Sequence, residues 1–191
     1  MRYSKEWLRP DEFEKILSLP NLSEKYEVWM LLLYGPALRV SEAINIRVRD
    51  LDLKGGCVEV YGGKGKDDTE MRRVPCKVRT LKKIKQYAEH NKLKAGDYVM
   101  FSNMSKQVHR SQVYRVVNKL AKEAGIEKTI GTHTFRRSRA EHVLDKGMPI
   151  TMVSKLLRHK NLSTTMSYLD ISVADIQREL EKIDDDIGGL F

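Results

Sequence analysis

The chain has 191 residues, 41% hydrophobic and 32% charged, which is the composition of a soluble globular protein long enough to bury one ordinary core. No apolar run approaches the roughly 20 residues of a membrane span, and the opening MRYSKEWLRPDEFEK lacks the apolar centre of a signal peptide. The formal charge is +9, but residues 172–191 carry −4, which leaves +13 on residues 1–171. Such a field suits a polyanion partner, because it attracts phosphates and releases their counterions, and it equally suits a solubilising surface. Cys57 and Cys76 have no CxxC partners, so neither a zinc site nor a disulfide framework is supported, and the chain reads as cytoplasmic.

In chain order, RPDEFEKILS predicts a helix with Pro10 in its first turn and Asp11 and Glu12 complementing the macrodipole, ended by Pro20. Ser23 is placed to cap a second helix through KYEVWMLLLY, apolar enough to be a central buried element and stopped by Gly35-Pro36. ALRVSEAI then surrounds Arg39 and Glu42 with apolar residues. An arginine so flanked either points into a cleft or pairs with Glu42 at helical spacing, and both readings stand.

Residues 50–76 alternate at period two in DLDLKGG, CVEVYGG and MRRVPC, the pattern of a small antiparallel sheet. Its hairpin loop carries Lys64 and Lys66 among glycines, either an ordinary solvated turn or a basic tip that enters a groove. Helices resume with KVRTLKKIKQYAEH, then a short apolar patch YVMF, then QVYRVVNKLAKEA, for which Ser111 is the predicted cap and Gly125 the stop. Lys106, His109, Arg110 and Arg115 gather near the start of that last helix, where backbone phosphates are commonly held. The bland alternative is a solvated face.

The stretch from Thr132 to Tyr168 is the densest in chemistry. Thr132 is the predicted cap of a helix reaching Lys146 and stopped by Gly147 and Pro149. On a helical wheel Phe135, Ala140, Val143 and Leu144 share one arc. Arg136 lies near its middle and Arg137 beyond its edge, so Arg136 is expected inward and Arg137 peripheral. His133 stands on the side of Arg136, and a guanidinium with a histidine at a helix start suits an anionic oxygen. A second helix, ITMVSKLL, leads to Arg158-His159, and Ser163 is the predicted cap of a third that holds Tyr168. Taken singly, His159 reads as a structural histidine and Tyr168 as a core aromatic.

Together these residues resemble the tyrosine recombinases, or phage-type integrases, especially the Xer-like and archaeal branch. ALRVSE supplies Arg39, GGKGKDD supplies Lys64, HTFR supplies His133 and Arg136, LLRH supplies His159, and STTMSY supplies Tyr168. The sequence departs from the family pattern in three places: Arg137 replaces a second histidine, Phe135 a leucine, and Arg158 the glycine before the turn histidine. The resemblance implies a mainly α fold with a small antiparallel β-sheet (α+β), the tyrosine recombinase catalytic-domain fold. It also implies double-stranded DNA as partner and site-specific recombination through a covalent 3′-phosphotyrosyl intermediate.

In that scheme the Tyr168 hydroxyl attacks the scissile phosphorus, Arg39 and Arg136 clamp the non-bridging oxygens and His159 donates to them. His133 is the base and Lys64, with Lys66 as the alternative, protonates the leaving 5′ oxygen. No metal, nucleotide or other cofactor is expected. Lys66, Arg110, Arg115, Arg137 and Arg158 are expected DNA contacts. Residues 1–171 are expected to form the catalytic domain, without the family's N-terminal DNA-clamping domain. Residues 172–191 form a helical tail with Val173, Ile176, Leu180, Ile183 and Ile187 at three and four spacing, a seam for a neighbouring protomer in a synaptic tetramer or for its own domain. The rival readings are a DNA-binding module of the same fold without catalysis, and type IB topoisomerase-like relaxation.

Overall fold

The computed structural model describes residues 6–61, 70–102, 105–159, 161–166 and 177. Among them are α1 (Pro10–Leu17), α2 (Glu24–Tyr34), α3 (Val40–Ala43), β1 (Leu51–Asp52), β2 (Cys57–Tyr61), β3 (Met71–Pro75), α4 (Val78–His90), α5 (Arg110–Glu123), α6 (Thr132–Leu144), α7 (Ile150–Leu156) and α8 (Leu162–Met166). The mainly helical, α+β expectation holds. No described helix is long and apolar enough to cross a membrane.

Helix α2 is the hub. Its apolar residues run around the whole circumference, Val28, Trp29, Met30, Leu32 and Leu33 are all buried, and α3, α4, α5 and α6 pack on it. Ser23 caps it as expected, its side chain accepting the Tyr26 N–H. The three strands form one antiparallel sheet in the order β1-β2-β3, with Val58 opposite Val74 and Cys57 opposite Pro75. Strand β2 alternates Val58 and Val60 inward with Glu59 and Tyr61 outward, so one face of the sheet joins the core. The YVMF patch closes the gap beside it: Val99 N–H bonds to Ile46 O at 2.9 Å, and Arg47 lies over the Tyr98 ring.

Two predicted caps move. His109, not Ser111, is the N-cap of α5 and accepts the Ser111 N–H on its ring. Gly131, not Thr132, is the N-cap of α6, with its own N–H bonded to the Thr134 hydroxyl at 3.0 Å. In both cases the competing hydroxyl lies inside the first turn, where it no longer reaches the N2 or N3 amide as a cap must.

Two apolar clusters share the interior. The larger is built on α1, α2, α4, α5, the sheet and Phe135 of α6. The smaller contains Ala37, Ala140, Val143, Val153 and Leu157. Helix α6 runs between them, meeting α2, α5 and α7. The segment before α1 is strapped to α6: Leu8 N–H bonds to Ser138 Oγ at 2.8 Å, and His142 Nε2 bonds to Leu8 O at 2.8 Å while its Nδ1 meets the Tyr34 hydroxyl at 2.7 Å. Lys128 adds a bond to Trp7 O and an ion pair to Glu12. Ser138 also donates to Thr134 O, so its one hydroxyl joins the strap to the helix backbone. Ser138→Ala is expected to lower stability by about 1–3 kcal/mol by leaving the buried Leu8 N–H unpaired. Urea unfolding checks this, and a stability unchanged from the parent would show that the strap does not hold.

Candidate active site

At the seam between the two clusters lies the buried guanidinium of Arg136. Arg136 is 2% exposed, donating from Nη1 to Ala37 O at 2.5 Å and from Nη2 to Leu157 O. The two carbonyls belong to the turns that precede Arg39 and His159. Both turns use left-handed backbone at non-glycine residues, Ala37 with φ 51° and Arg158 with φ 54°, a conformation that costs about 1–2 kcal/mol per residue and persists where surrounding bonds over-determine it. Arg136 thus ties two turns, 99 residues before it and 21 residues after it in sequence, to one point on α6.

Arg39 follows directly. Its guanidinium, 37% exposed, bonds from Nη1 to Glu42 Oε1 at 2.7 Å, while its own N–H bonds to Glu42 Oε2 at 2.7 Å. The pairing with Glu42 that the helical spacing allowed is thus present, and the side chain stays partly open to solvent. Glu42 is 8% exposed. Burial pushes its pKa up, but the charge of Arg158, the Arg39 N–H and the Arg39 guanidinium outweigh it and hold the carboxyl below its usual value.

The two histidines report the same convergence. Desolvation lowers the pKa of His133, and the nearby charges of Arg136 and Arg39 lower it further. His159 is pushed down to about 4 by desolvation and then by Arg136, Arg39 and Arg158. Its Nδ1 lies 2.9 Å from the hydroxyl of Thr165, a residue of α8 that is completely buried. Its backbone N–H bonds to Ser154 O. The same two guanidinium groups, Arg136 and Arg39, thus act on both imidazoles, which brings Arg39, His133, Arg136 and His159 into one neighbourhood with His133 on its exposed side.

Other sequence-predicted residues fare differently. Lys64, Lys66 and Tyr168 lie outside the described residues, as does all of the 172–191 tail except Gln177. Arg110 and Arg115 are exposed on α5, whose approach is fastened to the end of α3 by Gln107 bonding to Ile44 O and Asn45 Oδ1. A Cβ at Gly131 would meet the Tyr114 ring at 3.6 Å, so this face of α5 flanks the start of α6 near His133.

Arg137, expected at the periphery, and Arg158, expected like it to contact DNA, both have buried side chains beside a carboxylate. Arg137 is 8% exposed and lies 3.6 Å from Glu141 on the same helix, and the Arg158 side chain is 8% exposed and meets Glu42 at 2.6 Å. The wheel reading of Arg137 assumed a helix with one buried face. Helix α6 is covered on nearly every side from Thr132 to Val143, so a residue beyond the apolar arc is buried too. Thr165 and the Arg158–Glu42 link were not foreseen. A buried partner 116 residues away leaves no local mark in a sequence.

The sequence matches the phage integrase family over residues 6–174. The chain belongs to the phage integrase family. Its relatives include a tyrosine recombinase of Pseudothermotoga lettingae, 37% identical over 87% of this chain and 56% of that protein. They also include the tyrosine recombinase XerA of Thermococcus kodakarensis, 32% identical over 92% of this chain and 61% of that protein. This chain therefore spans a little over half the length of the curated relatives it matches. The crystal structure of XerA recombinase superposes with a TM-score of 0.80 at 24% identity, covering 93% of this chain and 64% of that one. The XerH site-specific recombinase bound to its difH substrate superposes at 0.74 with 20% identity, over 91% and 53%. These superpositions confirm the integrase catalytic fold.

Two outcomes follow for the cluster. Arg136→Ala is expected to lower stability by about 2 kcal/mol or more in urea unfolding, because it leaves the buried Leu157 O unpaired and Ala37 O with only the long contact from Arg158. A loss below about 1 kcal/mol would show that the bridge is not what holds the two turns. For His159 the folded pKa of about 4 lies below the ordinary 6.5, so between those values the unfolded chain binds the proton that the folded chain refuses. Stability therefore falls as pH drops from about 6.5 towards 4, and this contribution is fully present above 6.5. An NMR titration is expected to find the His159 ring neutral at pH 6, and a midpoint at or above 6.5 would contradict the described environment.

Proposed function

We propose that this protein breaks and rejoins double-stranded DNA as a tyrosine recombinase, forming a covalent 3′-phosphotyrosyl intermediate. The observation that carries the reading is that the buried Arg136 ties together the turns before Arg39 and His159, with both Arg136 and Arg39 acting on His133 and His159, in a chain of the phage integrase family. Relatives named tyrosine recombinase, and a structural neighbour, the Tn1549 transposon integrase, solved in complex with transposon right end DNA, support DNA as the substrate class.

Each residue type suits its assigned task. Arg39 and Arg136 offer planar N–H donors to the non-bridging phosphate oxygens, where negative charge grows in the transition state. His133, its pKa lowered, is unprotonated at neutral pH and able to take the phenolic proton of Tyr168. In the tautomer in which the Thr165 hydroxyl donates to Nδ1, a neutral His159 carries its proton on Nε2, where it donates to phosphate. Lys64, with Lys66 as the alternative on the same loop, protonates the 5′ oxygen as the phosphorus–oxygen bond breaks. The tyrosyl oxygen takes the place of that oxygen on phosphorus, and a strand's 5′-hydroxyl later reverses the exchange. The linkage energy is retained in the phosphotyrosyl bond, so the exchange consumes no nucleotide.

In this reading residues 1–171 form the catalytic domain, Arg110 and Arg115 touch the DNA backbone beside it, and the tail from residue 172 docks on a neighbouring protomer in a synaptic tetramer. The protein acts on cytoplasmic DNA. Tyr168→Phe is expected to abolish the SDS-resistant adduct with a nicked suicide duplex while leaving duplex affinity within about threefold of the parent, because phosphate contacts dominate affinity. An undiminished adduct in that variant would overturn the assignment. Binding without any adduct in the parent chain would favour a non-catalytic DNA-binding module of the same fold.

A further inference from the structure

Arg158 occupies a backbone position that favours glycine. It directly follows the C-cap of α7 with φ 54°; its N–H bonds to Lys155 O at 3.0 Å and the His159 N–H to Ser154 O at 3.1 Å, the two bonds that close a Schellman turn. Glycine is the ordinary residue there because a Cβ crowds the left-handed conformation. The arginine is kept at that cost by where its side chain goes. Nη1 donates to Leu156 O at 3.0 Å, and Nη2 donates to Glu42 Oε2 at 2.6 Å and to Ala37 O at 3.4 Å.

The carboxylate it meets is the one that holds Arg39. Glu42 gives Oε1 to Arg39 Nη1 and shares Oε2 between the Arg39 N–H and Arg158. Of the influences that lower the Glu42 pKa, the charge of Arg158 is the largest, ahead of each of the three contributions from Arg39. The two arginines differ in access as well: the Arg39 side chain is 37% exposed and that of Arg158 only 8%. An incoming phosphate therefore meets Arg39 first.

We infer that Arg158 is a positioning residue: by holding the Glu42 carboxylate, it lets Arg39 turn its guanidinium from Glu42 to a phosphate oxygen without leaving a buried carboxylate unpaired. This rests on the recombinase reading of the site. A buried ion stripped of its partner is strongly disfavoured, so with Arg39 as sole partner the carboxylate would compete with the phosphate. With Arg158 in place, Glu42 keeps a charged donor on Oε2 and releases only the Oε1 contact. The residue that departs from the family's glycine is thereby a device for sharing one negative charge between two cations.

The test is single-turnover cleavage of a nicked suicide duplex by the full chain, comparing the parent with R158G, R158K, E42Q and R158G/E42Q. Glycine suits the left-handed turn, so R158G removes the charge without opposing the backbone. R158G is expected to cleave about tenfold more slowly with duplex affinity little changed, and R158K to stay within about threefold of the parent. R158G/E42Q is expected to return to the rate of E42Q alone, because a neutral amide no longer holds Arg39; a folding defect would not be rescued this way. An R158G variant at the parental rate, or a double variant as slow as R158G, overturns the inference and leaves the proposed function standing. A parent chain that forms no adduct overturns the proposed function and this inference together, a result that does not depend on residue 158 and so cannot be confused with the other.

Discussion

A guanidinium buried between two carbonyl oxygens is the constraint on which the cluster depends. Arg136 has its own anchorage in α6, beside Phe135 in the larger core and one turn from Ala140 in the smaller, and it reaches from there to Ala37 and Leu157. Guanidinium is suited to this because its donors lie in one plane and point outward, so two backbone acceptors are met without bending the side chain. An ammonium would offer donors about one atom and could not span the two turns in the same way. The left-handed residues at both turns are tolerated because these bonds, with the Schellman turn after α7, leave the backbone no cheaper arrangement.

Electrostatics then follow from packing. Arg39, Arg136 and Arg158 converge on the buried Glu42 carboxylate, and burial, with the surplus positive charge added to it, lowers the proton affinity of both neighbouring histidines. An environment that keeps imidazoles neutral while presenting fixed cations is unfavourable for an isolated protein and favourable once a phosphodiester arrives. The site's cost is met elsewhere, in the all-round burial of α2 and the strap that joins Leu8 to Ser138 and His142.

Much of the fold was legible. The period-two stretches are the three strands, Pro10 and Ser23 open the first two helices, and the wheel correctly turned Arg136 inward. Its failure at Arg137 has a definite origin. A wheel sorts residues by one preferred face, and α6 has none, since α2, α5 and α7 surround it. The displaced caps at His109 and Gly131 have a similar source, because several residues near a helix start can satisfy an amide and packing selects among them.

By itself the sequence determined the kinds of group available and their local setting: an arginine and a glutamate three apart, a histidine and an arginine three apart, and a histidine after a short helix. Those are set by covalent order and helical spacing, which reach only a few residues. What the tertiary structure alone decided is how they combine. Glu42 meets Arg158 across 116 residues, Arg136 meets Ala37 across 99, and the His159 ring is steadied by a buried threonine on α8. Such contacts arise because two apolar clusters can close only with α6 between them, and burial then obliges every polar group at the seam to find the partner that packing has brought within reach.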